Sequence, residues 1–450
     1  MTNLLIIGAG RSATTMIQYL LDHAERGDWQ VTVADRIESL AQAKVGDHPR
    51  GRAIAFDVAD AAQCEAEVKA ADLVISLLPA HMHVIPGKFC LQYRTHMITA
   101  SYVSPEMKAL DSEAREKGVL FLNEIGADPG IDHMSTMEMV DRIKAEGGKI
   151  QSFRSYCGAI VAPESSNRWG YKFTWAPRNI ILAGTGGVAK YLRDGKTKYV
   201  PYHHIFRRTQ TVRVPNYGDF EAYANRDSVM YAPLYALEEV PTVLRATLRH
   251  PGFCEMWQAM IDLGLTDDSY SIPDSEGMTY RDFICSYVNE IPGHSDAESM
   301  ALFLDLPVDG PTMEKLLALD LLSDEVIPLK NASPADILEH ILMDRWKFEP
   351  EDTDMVVMQH QIEYDLHGGR RKLVSSMVDK GQDHEHTAIS RTVGLPAAIA
   401  ARLVLEGKIK STGVQIPLSP DIYAPVLAEL ENYGIRFVEE TYFVPEPEGV

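Results

Sequence analysis

Short apolar runs alternate with helical periodicity along roughly the first 130 residues. The runs are 4–7, 31–34, 53–56, 73–79, 96–100 and 119–123. The segments between them, such as 60–71 and 104–117, have the composition of helices. Strands separated by helical connections are typical of parallel pairing, so the pattern predicts an α/β, Rossmann-type, doubly wound parallel sheet. Ligands bind beyond the carboxyl ends of such strands, so the residues that follow the runs form one predicted rim.

The pattern changes from Lys149 onward. Segments of strand composition with turn residues come first, and helical stretches dominate from about 235 to 344. A hairpin is predicted around 367–369. Ser104-Pro105 and Ser333-Pro334 are typical helix starts, with serine as the cap and proline at the first helical position. This region therefore predicts an α+β domain with an antiparallel sheet and helices on one side.

The end of the chain returns to helical periodicity. Amphipathic patterns cover 388–409 and 421–433, and no low-complexity linker precedes them. We therefore predict that the α+β domain is an insertion and that the C-terminal helices pack back on the first domain. The predicted boundaries are 1–130, 131–385 and 386–450.

Composition places the chain among ordinary globular proteins. Its 450 residues are too many for one core, and 45% are hydrophobic and 24% charged. No apolar stretch approaches the ~20 residues that span a bilayer, and no basic segment leads into a cleavable N-terminal run. We expect a cytoplasmic protein without a membrane partner. The five cysteines are scattered and indicate neither a disulfide framework nor a zinc site.

The net charge of −21 argues against nucleic acid as a partner. It also means that an anionic substrate would need a local cationic pocket inside an acidic protein.

The first apolar run ends in a glycine turn, Gly8-Ala9-Gly10-Arg11-Ser12-Ala13, which leads into a helix-like pattern. A strand, glycine turn and helix in that order are typical of a dinucleotide site. Gly8 permits the tight turn, Gly10 lets the backbone approach a pyrophosphate, and Ala13 stands where a third glycine often lies. Arg11 and Ser12 open the helix, whose N-terminus favours phosphate.

Asp35 and Arg36 follow the second apolar run. A carboxylate at this place can accept hydrogen bonds from the adenosine ribose and would repel the extra phosphate of NADP, which favours NAD. Arg36 could stack on adenine or bind that phosphate, so NADP stays possible. We assign four further strand-end residues and one residue of the segment 167–178 to the cofactor site: Asp57, Val58, Leu78, Ala127 and Thr174.

Aromatic and cationic residues alternate in the segment 167–178. Such a segment suits a polar pocket lined by rings. Arg226 and Arg249 lie beside small hydroxyl residues, and arginine matches carboxylates bidentately. Each arginine taken singly fits a structural role, but together they could bind a polycarboxylate.

Cys157 raises a different possibility, that of a covalent nucleophile. A nucleophilic thiol needs a lowered pKa, typically at a helix N-terminus beside a histidine, and no helix start follows here. We interpret Cys157 as a pocket wall or a weak hydrogen-bonding group, with a packed strand cysteine as the alternative. The cluster 383–386 has histidines two residues apart without a matching partner, and no metal is expected.

Several long motifs in order resemble saccharopine dehydrogenase of the L-glutamate-forming type, also called saccharopine reductase. They are the opening Gly8-Ala9-Gly10, TASYVS (99–104), GADPGIDH (126–133), SYCG (155–158), GYKFTW (170–175), NRDS (225–228), LRATLRHPGF (244–253) and TVGLP (392–396). The resemblance covers nearly the whole chain. Ala127, 159–161 and Asp35 depart from the residues usual in the family, and Asp35 bears on the choice of cofactor.

The resemblance implies reversible oxidation of saccharopine, with NAD(P)+ and water, to L-glutamate and 2-aminoadipate 6-semialdehyde. It assigns cofactor binding to 1–130, substrate binding and dimerisation to 131–385, and a homodimer to the assembly. The substrate carries three carboxylates, which gives Arg226 and Arg249 a function. Ser101, Tyr102, Asp128, Thr247 and Leu248 match substrate-contact positions of the family.

The reaction needs a group that moves protons near neutral pH. Asp128 is the first candidate, provided that burial raises its pKa, and Tyr102 and Cys157 are the second candidates. The alternative is that Asp128 only orients the substrate amine.

Three other functions stay open. One is a related imine-reducing dehydrogenase of polyamine metabolism, which would have less use for clustered arginines. Another is a semialdehyde dehydrogenase that uses Cys157. The last is a dinucleotide-binding sensor or adaptor without activity.

Overall fold

Two β-sheets organise the described part of the chain, residues 1–183 and 187–445, in this computed structural model. The strands of the first sheet are β1 (Thr2–Ile7), β2 (Trp29–Asp35), β3 (Gly51–Ala55), β4 (Leu73–Ser76), β5 (His96–Ile98), β6 (Leu120–Leu122) and β15 (Gly413–Gln415). They pair in the order β15-β6-β5-β4-β1-β2-β3, and every pair is parallel. This confirms the predicted Rossmann-type parallel sheet.

Helices cover both faces of this sheet. They are α1 (Thr14–Gly27), α2 (Glu38–Val45), α3 (Ala61–Ala70), α4 (Val84–Tyr93), α5 (Pro105–Lys108), α6 (Asp111–Lys117) and α7 (Ile131–Ala145). Alternate residues of β1 enter two different cores, with Leu4 and Ile6 in one and Leu5 and Ile7 in the other. A strand buried on both faces must be apolar throughout, which explains why the runs do not alternate with polar residues. The predicted cap at Ser104 is confirmed, since its Oγ accepts from the Met107 N–H at 3.1 Å.

The second sheet is mixed. Its strands are β7 (Lys149–Val161), β8 (Ala189–Arg193), β9 (Lys196–Val200), β10 (Thr209–Val214), β11 (Gly218–Ala224), β12 (Thr242–Arg249), β13 (Asp354–Leu366), β14 (Gly369–Lys380) and β16 (Val438–Phe443). The central order is β10-β11-β12-β7-β13-β14-β16. Strands β7 and β12 pair in parallel, so the prediction of an antiparallel sheet was wrong for this pair. The predicted hairpin is confirmed as β13 and β14.

In the described chain, six helices cover one face of the second sheet, and α7 packs on the other face. They are α8 (Pro177–Ile181), α9 (Phe253–Asp262), α10 (Tyr280–Cys285), α11 (Asp296–Phe303), α12 (Pro311–Leu317) and α13 (Pro334–Arg345). Their core includes Trp257 and Trp346, which are both fully buried. Helix α13 begins at the predicted cap, where the Ser333 Oγ accepts from the Asp336 N–H at 3.1 Å.

The C-terminal segment adds α14 (Ala388–Leu405) and α15 (Pro420–Asn432). Helix α14 lies against α1 so closely that a Cβ on Gly394 would come within 3.0 Å of the Met16 nitrogen. The Ser390 Oγ accepts from the Thr15 N–H at 3.0 Å, so α14 also holds the first turn of α1. Strand β15 extends the first sheet, whereas β16 pairs with β14 in the second. The segment 386–450 therefore contributes to both sheets, and not to the first domain alone.

Helix α14 is long and apolar enough, by length and composition, to cross a membrane. Its 18 residues have a mean hydropathy of 1.4, which the sequence-based expectation of no such stretch did not anticipate. However, 72% of the helix is buried inside the protein. That burial is typical of a core helix, and one such helix is weak evidence for a membrane span.

Candidate active site

The glycine turn after β1 forms an open cradle at the carboxyl edge of the first sheet. Gly8 has a φ of +110°, and a Cβ there would lie 3.2 Å from the Leu77 Cβ, so the turn requires glycine. A Cβ on Gly10 would meet open space, which is room for a ligand. Arg11–Ala13 form a single 3-10 turn that runs into α1. The first N–H groups of such a turn lack acceptors within the helix and can receive a phosphate.

Asp35 lies beside this cradle at the end of β2. Its Oδ2 accepts from the Ala9 N–H at 2.8 Å, and its Oδ1 accepts from the Ile37 N–H at 2.9 Å. Each carboxylate oxygen can accept a second hydrogen bond, so the side chain is fixed and still able to bind hydroxyl groups. Arg36 is exposed.

The cradle also meets the aromatic segment of the second domain. The Arg11 Nη1 donates to the Phe173 carbonyl oxygen at 2.9 Å. The neighbouring Thr174 Oγ1 is buried and has no hydrogen-bond partner among the described residues, an arrangement that suits contact with a bound group. The residues present therefore fit a dinucleotide. The other four predicted cofactor residues lie at strand ends of this sheet: Asp57 exposed, Leu78 half-buried, and Val58 and Ala127 buried.

A buried charge cluster joins the two domains next to the cradle. Asp128 lies in the loop before α7, and Asp132 lies in the first turn of α7. The Arg245 Nη2, from β12, donates to Asp128 Oδ1 at 2.5 Å and to Asp132 Oδ2 at 2.6 Å. Its guanidinium also stacks on the Tyr231 ring, 4.2 Å from the centroid. One arginine thus partly offsets the negative charges of two carboxylates.

The pKa values of Asp128 and Asp132 are shifted in opposite directions. Burial raises the pKa of Asp128, and Asp132 raises it further, against the opposing effect of Arg245. Burial would also raise the pKa of Asp132, but His133, Arg245 and the Gly130 N–H outweigh it, and that pKa is lowered. Neighbouring carboxyls with separated pKa values are a frequent arrangement for an acid–base group beside a permanent charge. Asp128 keeps 18% of its side chain exposed, whereas Asp132 keeps 1%.

The cluster continues inward through His133. Its Nε2 lies 2.8 Å from Glu124 Oε2, and its Nδ1 lies 2.6 Å from the Tyr235 hydroxyl oxygen. Glu124 adopts a φ of +56°, and its Oε1 accepts from the Val103 N–H at 3.0 Å. The network therefore fixes the loop that carries Tyr102.

Tyr102 lies at the mouth of the cluster. Its hydroxyl is 3.5 Å from Asp128 Oδ1, the outer limit of a hydrogen bond. Burial, followed by the charge of Asp128, raises its pKa well above the usual value. The exposed Arg226 lies over the Tyr102 ring at 5.5 Å. The structure thus brings together Tyr102, Asp128 and Arg226, three of the predicted substrate residues, whose roles stay predictions.

Cys157 lies in the middle of β7, where it pairs with Thr247 of β12. Only 7% of the residue is exposed, and burial, with the charges of Asp128 and Asp132, raises the thiol pKa well above its usual value. A thiol in these surroundings stays protonated. Cys157 therefore packs in the hydrophobic core, and its surroundings disfavour it as a nucleophile.

Arg249 ends the same strand in different surroundings. It is 5% exposed, and its guanidinium lies 5.5–5.7 Å from the ring centroids of Tyr171, Tyr223 and Phe253. Its Nη1 donates to the Leu248 carbonyl oxygen at 2.8 Å, and its Nε has no hydrogen-bond partner within residues 1–183 and 187–445. Within the described ranges, no carboxylate forms an ion pair with it. The Leu248 side chain points to the opposite face, into the core of the second domain, so only its backbone remains near the cleft.

Comparison with known proteins decides the family. Residues 4–122 match the model of the "Saccharopine dehydrogenase NADP binding domain", and residues 126–435 match that of the "Saccharopine dehydrogenase C-terminal domain". The chain belongs to the saccharopine dehydrogenase family. This confirms the resemblance seen in the sequence.

Several relatives in this family match over nearly their whole length. Saccharopine dehydrogenase [NADP(+), L-glutamate-forming] of Saccharomyces cerevisiae is 35% identical, over 98% of this chain and 99% of its own. The enzyme of the same name from Pyricularia oryzae is 34% identical over 97% and 98%. The solved apo saccharopine dehydrogenase (L-Glu forming) of S. cerevisiae superposes with a TM-score of 0.88 at 34% identity, over 98% of this chain and 100% of the other. The α-aminoadipic semialdehyde synthase of Arabidopsis thaliana is 31% identical, and the match covers 45% of it.

Sequence reasoning missed several residues of the charge cluster and its surroundings. Asp132, His133 and Arg245 lie inside motifs that carried the resemblance, but no role was assigned to them. Glu124 lies outside those motifs. The available signal was two polar residues with ionisable side chains, Asp132 and His133, side by side in the first turn of a helix.

The described ranges contain no group of three or more histidine, cysteine, aspartate or glutamate side chains that could hold a metal ion. In the loop 383–386, the His386 Nδ1 lies 3.1 Å from Asp383 Oδ2, an ordinary surface contact.

Proposed function

We propose that this protein oxidises saccharopine, with water and a pyridine nucleotide, to L-glutamate and 2-aminoadipate 6-semialdehyde, and catalyses the reverse reduction. The observation that carries the proposal is the buried Arg249, which has no carboxylate partner among the described residues and lies on the same face of β12 as Arg245, the partner of Asp128. A buried cation needs a counter-charge, and a substrate with three carboxylates can provide one. Family membership and the names of the full-length relatives support the same reaction.

The chemistry divides between the cofactor and the chain. When bound, the oxidised pyridine nucleotide supplies a hydride acceptor for the lysine-side carbon of the substrate's secondary amine. The amine must first lose a proton, because the nitrogen lone pair forms the C=N bond as hydride leaves. Water then adds to the imine carbon, and the C–N bond breaks to give the aldehyde and the amine of glutamate.

Asp128 is the group that we assign to these proton transfers. The pKa of Asp128 is raised toward neutral pH, and 18% of its side chain remains exposed. Asp132 stays ionised behind it and, with Arg245, fixes its position. The alternative role, in which Asp128 only orients the substrate amine, predicts a different pH profile, as described below.

For the cofactor, we propose that Asp35 confers a preference for NAD. The names of the relatives specify NADP(+), and the matching domain model is an NADP-binding one. In this chain, however, two backbone N–H groups hold the Asp35 carboxylate at the predicted ribose position. A 2′-phosphate there would meet a fixed negative charge, which Arg36 could offset only from the exposed side.

One spectrophotometric assay tests both proposals. Saccharopine is added with NAD+ or with NADP+, and the absorbance of the reduced cofactor is followed. We expect turnover with both and a higher kcat/KM with NAD+. In Asp35→Ala, the ratio should shift toward NADP+ by about tenfold, the size of one charged contact. Absence of signal with either cofactor would contradict the reaction, and a wild-type preference for NADP+ would contradict the role of Asp35.

The structure offers less support for a semialdehyde dehydrogenase. That class needs an ionisable thiol, and the Cys157 thiol is buried with a raised pKa. Activity that requires phosphate and is lost on alkylation of Cys157 would favour it.

A further inference from the structure

A buried carboxylate without an assigned role lies at the start of β13, against the first turn of α14. Asp354 is fully buried. Its Oδ1 accepts from the Ala388 N–H at 2.6 Å, and its Oδ2 accepts from the Ile389 N–H at 3.1 Å. A carboxylate at this place binds N–H groups that have no partner within the helix and interacts favourably with the helix dipole. A residue of the second sheet thus holds the first turn of a helix that packs against α1.

The surroundings of Asp354 fix it in this position. A Cβ on Gly381 would collide with Asp354 Oδ1 and would come within 3.0 Å of the Ala388 nitrogen. The Gly381 N–H donates to the Asp354 carbonyl oxygen at 2.9 Å, so the backbone is held as well. Burial raises the pKa of Asp354 to about 6, against the opposing effect of the two α14 N–H groups. The side chain is therefore ionised at pH 8, where it only accepts hydrogen bonds.

The same turn of α14 contacts the dinucleotide cradle. The Ser390 N–H donates to Thr387 Oγ1 at 3.0 Å, so Ser390 belongs to the turn that Asp354 holds. The Ser390 Oγ accepts from the Thr15 N–H at 3.0 Å and lies 2.9 Å from Thr15 Oγ1. Thr15 lies in the first turn of α1, directly after the 3-10 turn 11–13 of the cradle. Hydrogen bonds and consecutive residues therefore connect a carboxylate of the second sheet to the cradle of the first.

The two helices also leave no space for independent movement. A Cβ on Gly394 of α14 would come within 3.0 Å of the Met16 nitrogen and 3.3 Å of the Ser12 carbonyl oxygen. Atoms packed this closely transmit a displacement, because protein interiors have low compressibility. A shift of the first turn of α14 should therefore move the cradle as well.

We propose that Asp354 is a positioning residue for the pyridine nucleotide. Its carboxylate fixes the first turn of α14, and Ser390 of that turn holds the first turn of α1 in the geometry that receives the pyrophosphate. A cradle that is held in the binding geometry has less freedom to lose when the ligand binds, which increases affinity. Asp354 should therefore affect the Kd of the dinucleotide, and neither the chemical step nor the binding of the second substrate.

Asp354→Asn tests the first step. The amide has the same shape, but its NH2 group lies against a backbone N–H and cannot accept from it. We expect the Kd of the dinucleotide to rise about threefold to tenfold, the size usual for a substitution that acts through packed neighbours. The Kd is measured at pH 8 by titrating the tryptophan fluorescence with NADH and, separately, with NADPH. In steady-state kinetics with the cofactor saturating, kcat and the KM for saccharopine should stay at their wild-type values.

Asp379→Asn is the matched control. Asp379 is a buried aspartate on the neighbouring strand β14, and it also binds α14, since the Arg391 Nε donates to its Oδ2 at 2.9 Å. Its partner is a flexible side chain, whereas the partners of Asp354 are N–H groups of the helix backbone. Asp379→Asn should lower the melting temperature and leave the Kd unchanged. An equal rise of the Kd in both variants would show a general loosening of α14 and would overturn the proposal.

Ser390→Ala tests the second step, and it decides the proposal even if Asp354→Asn does not fold. This variant removes the acceptor of the Thr15 N–H and leaves both hydrogen bonds of Asp354 in place. We expect its Kd to rise as in Asp354→Asn. The Kd of the double variant should be no higher than that of either single variant, because both substitutions act through the same contact.

An unchanged Kd in Ser390→Ala, or additive effects in the double variant, would contradict this role of Asp354, as would a wild type that binds neither dinucleotide. The titrations need no turnover. Failure of the proposed reaction is therefore distinguishable from failure of this inference, which concerns dinucleotide binding alone.

Discussion

Arg245 and Arg249 lie four residues apart on β12, on the same face of the strand, and both are 5% exposed. Their surroundings differ in one respect. Arg245 donates to Asp128 and Asp132, so the fold itself supplies its counter-charge. Arg249 has three aromatic rings and a backbone carbonyl around it, and no ion pair joins it to any described residue.

This difference separates a structural cation from a binding one. Removing one member of a buried ion-pair network leaves an unpaired charge and destabilises the fold. Removing a buried charge that the fold does not pair relieves a desolvation cost and removes a binding contact. The two arginines should therefore respond oppositely to the same substitution.

The largest effect is expected for Arg245→Met. It leaves Asp128 and Asp132 buried without their cation, which should lower the free energy of unfolding by about 3–5 kcal/mol. Urea denaturation followed by circular dichroism measures the change. The matched control is Arg249→Met, and equal destabilisation by the two would remove the distinction.

Asp128→Asn comes next. Asp132 remains as a partner of Arg245, so the fold should persist, but kcat should fall about a hundredfold, the lower range for loss of a general acid–base group. In the wild type, kcat/KM for saccharopine oxidation should fall on the acid side, at a pH above the ordinary aspartate pKa, because the pKa of Asp128 is raised and its protonated form cannot accept a proton.

Asp128→Asn should no longer show this fall of kcat/KM at acidic pH. A variant that keeps full turnover and the same fall would exclude Asp128 from proton transfer and favour the orienting role.

Arg249→Met should lower kcat/KM for saccharopine by roughly tenfold to a hundredfold, because the substrate loses a hydrogen-bonded charge partner. The lower kcat/KM should result from a higher KM. Steady-state kinetics with the cofactor saturating measure it, and unchanged KM would show that Arg249 does not contact substrate.

The smallest effect is expected for Arg226→Gln. This arginine is exposed and lies over the Tyr102 ring, so a solvated charge is lost. We expect KM to rise less than tenfold and the melting temperature to stay the same. A rise larger than that of Arg249→Met would reverse the order of the two predicted substrate arginines.

The sequence was most informative where the signal is local. The glycine turn, the strand that leads into it and the caps at Ser104 and Ser333 each depend on a few neighbouring residues. The parallel sheet followed from apolar runs because both faces of its strands are buried. The pairing of β7 with β12 was missed, since strand direction there is set by a long connection and leaves no local pattern.

The charge cluster was predicted only in part for the same reason. Asp128 was predicted from a motif, but its partner Arg245 is 117 residues away and resembled the other arginines of β12. Which arginine is paired depends on the register that places α7 against the second sheet. A linear pattern of residue types does not contain that register. The sequence therefore predicted roles for Arg226 and Arg249 and none for Arg245.

The comparison of the two arginines is tested most directly by melting temperatures measured with and without saturating saccharopine. Without ligand, Arg249→Met should melt at the wild-type temperature or above it, since a buried unpaired charge is gone. With saccharopine, the wild type should melt at a clearly higher temperature, and Arg249→Met should gain little. A variant that melts below the wild type without ligand, or gains as much from saccharopine, would contradict the assignment of Arg249 as the cation that the fold leaves for the substrate.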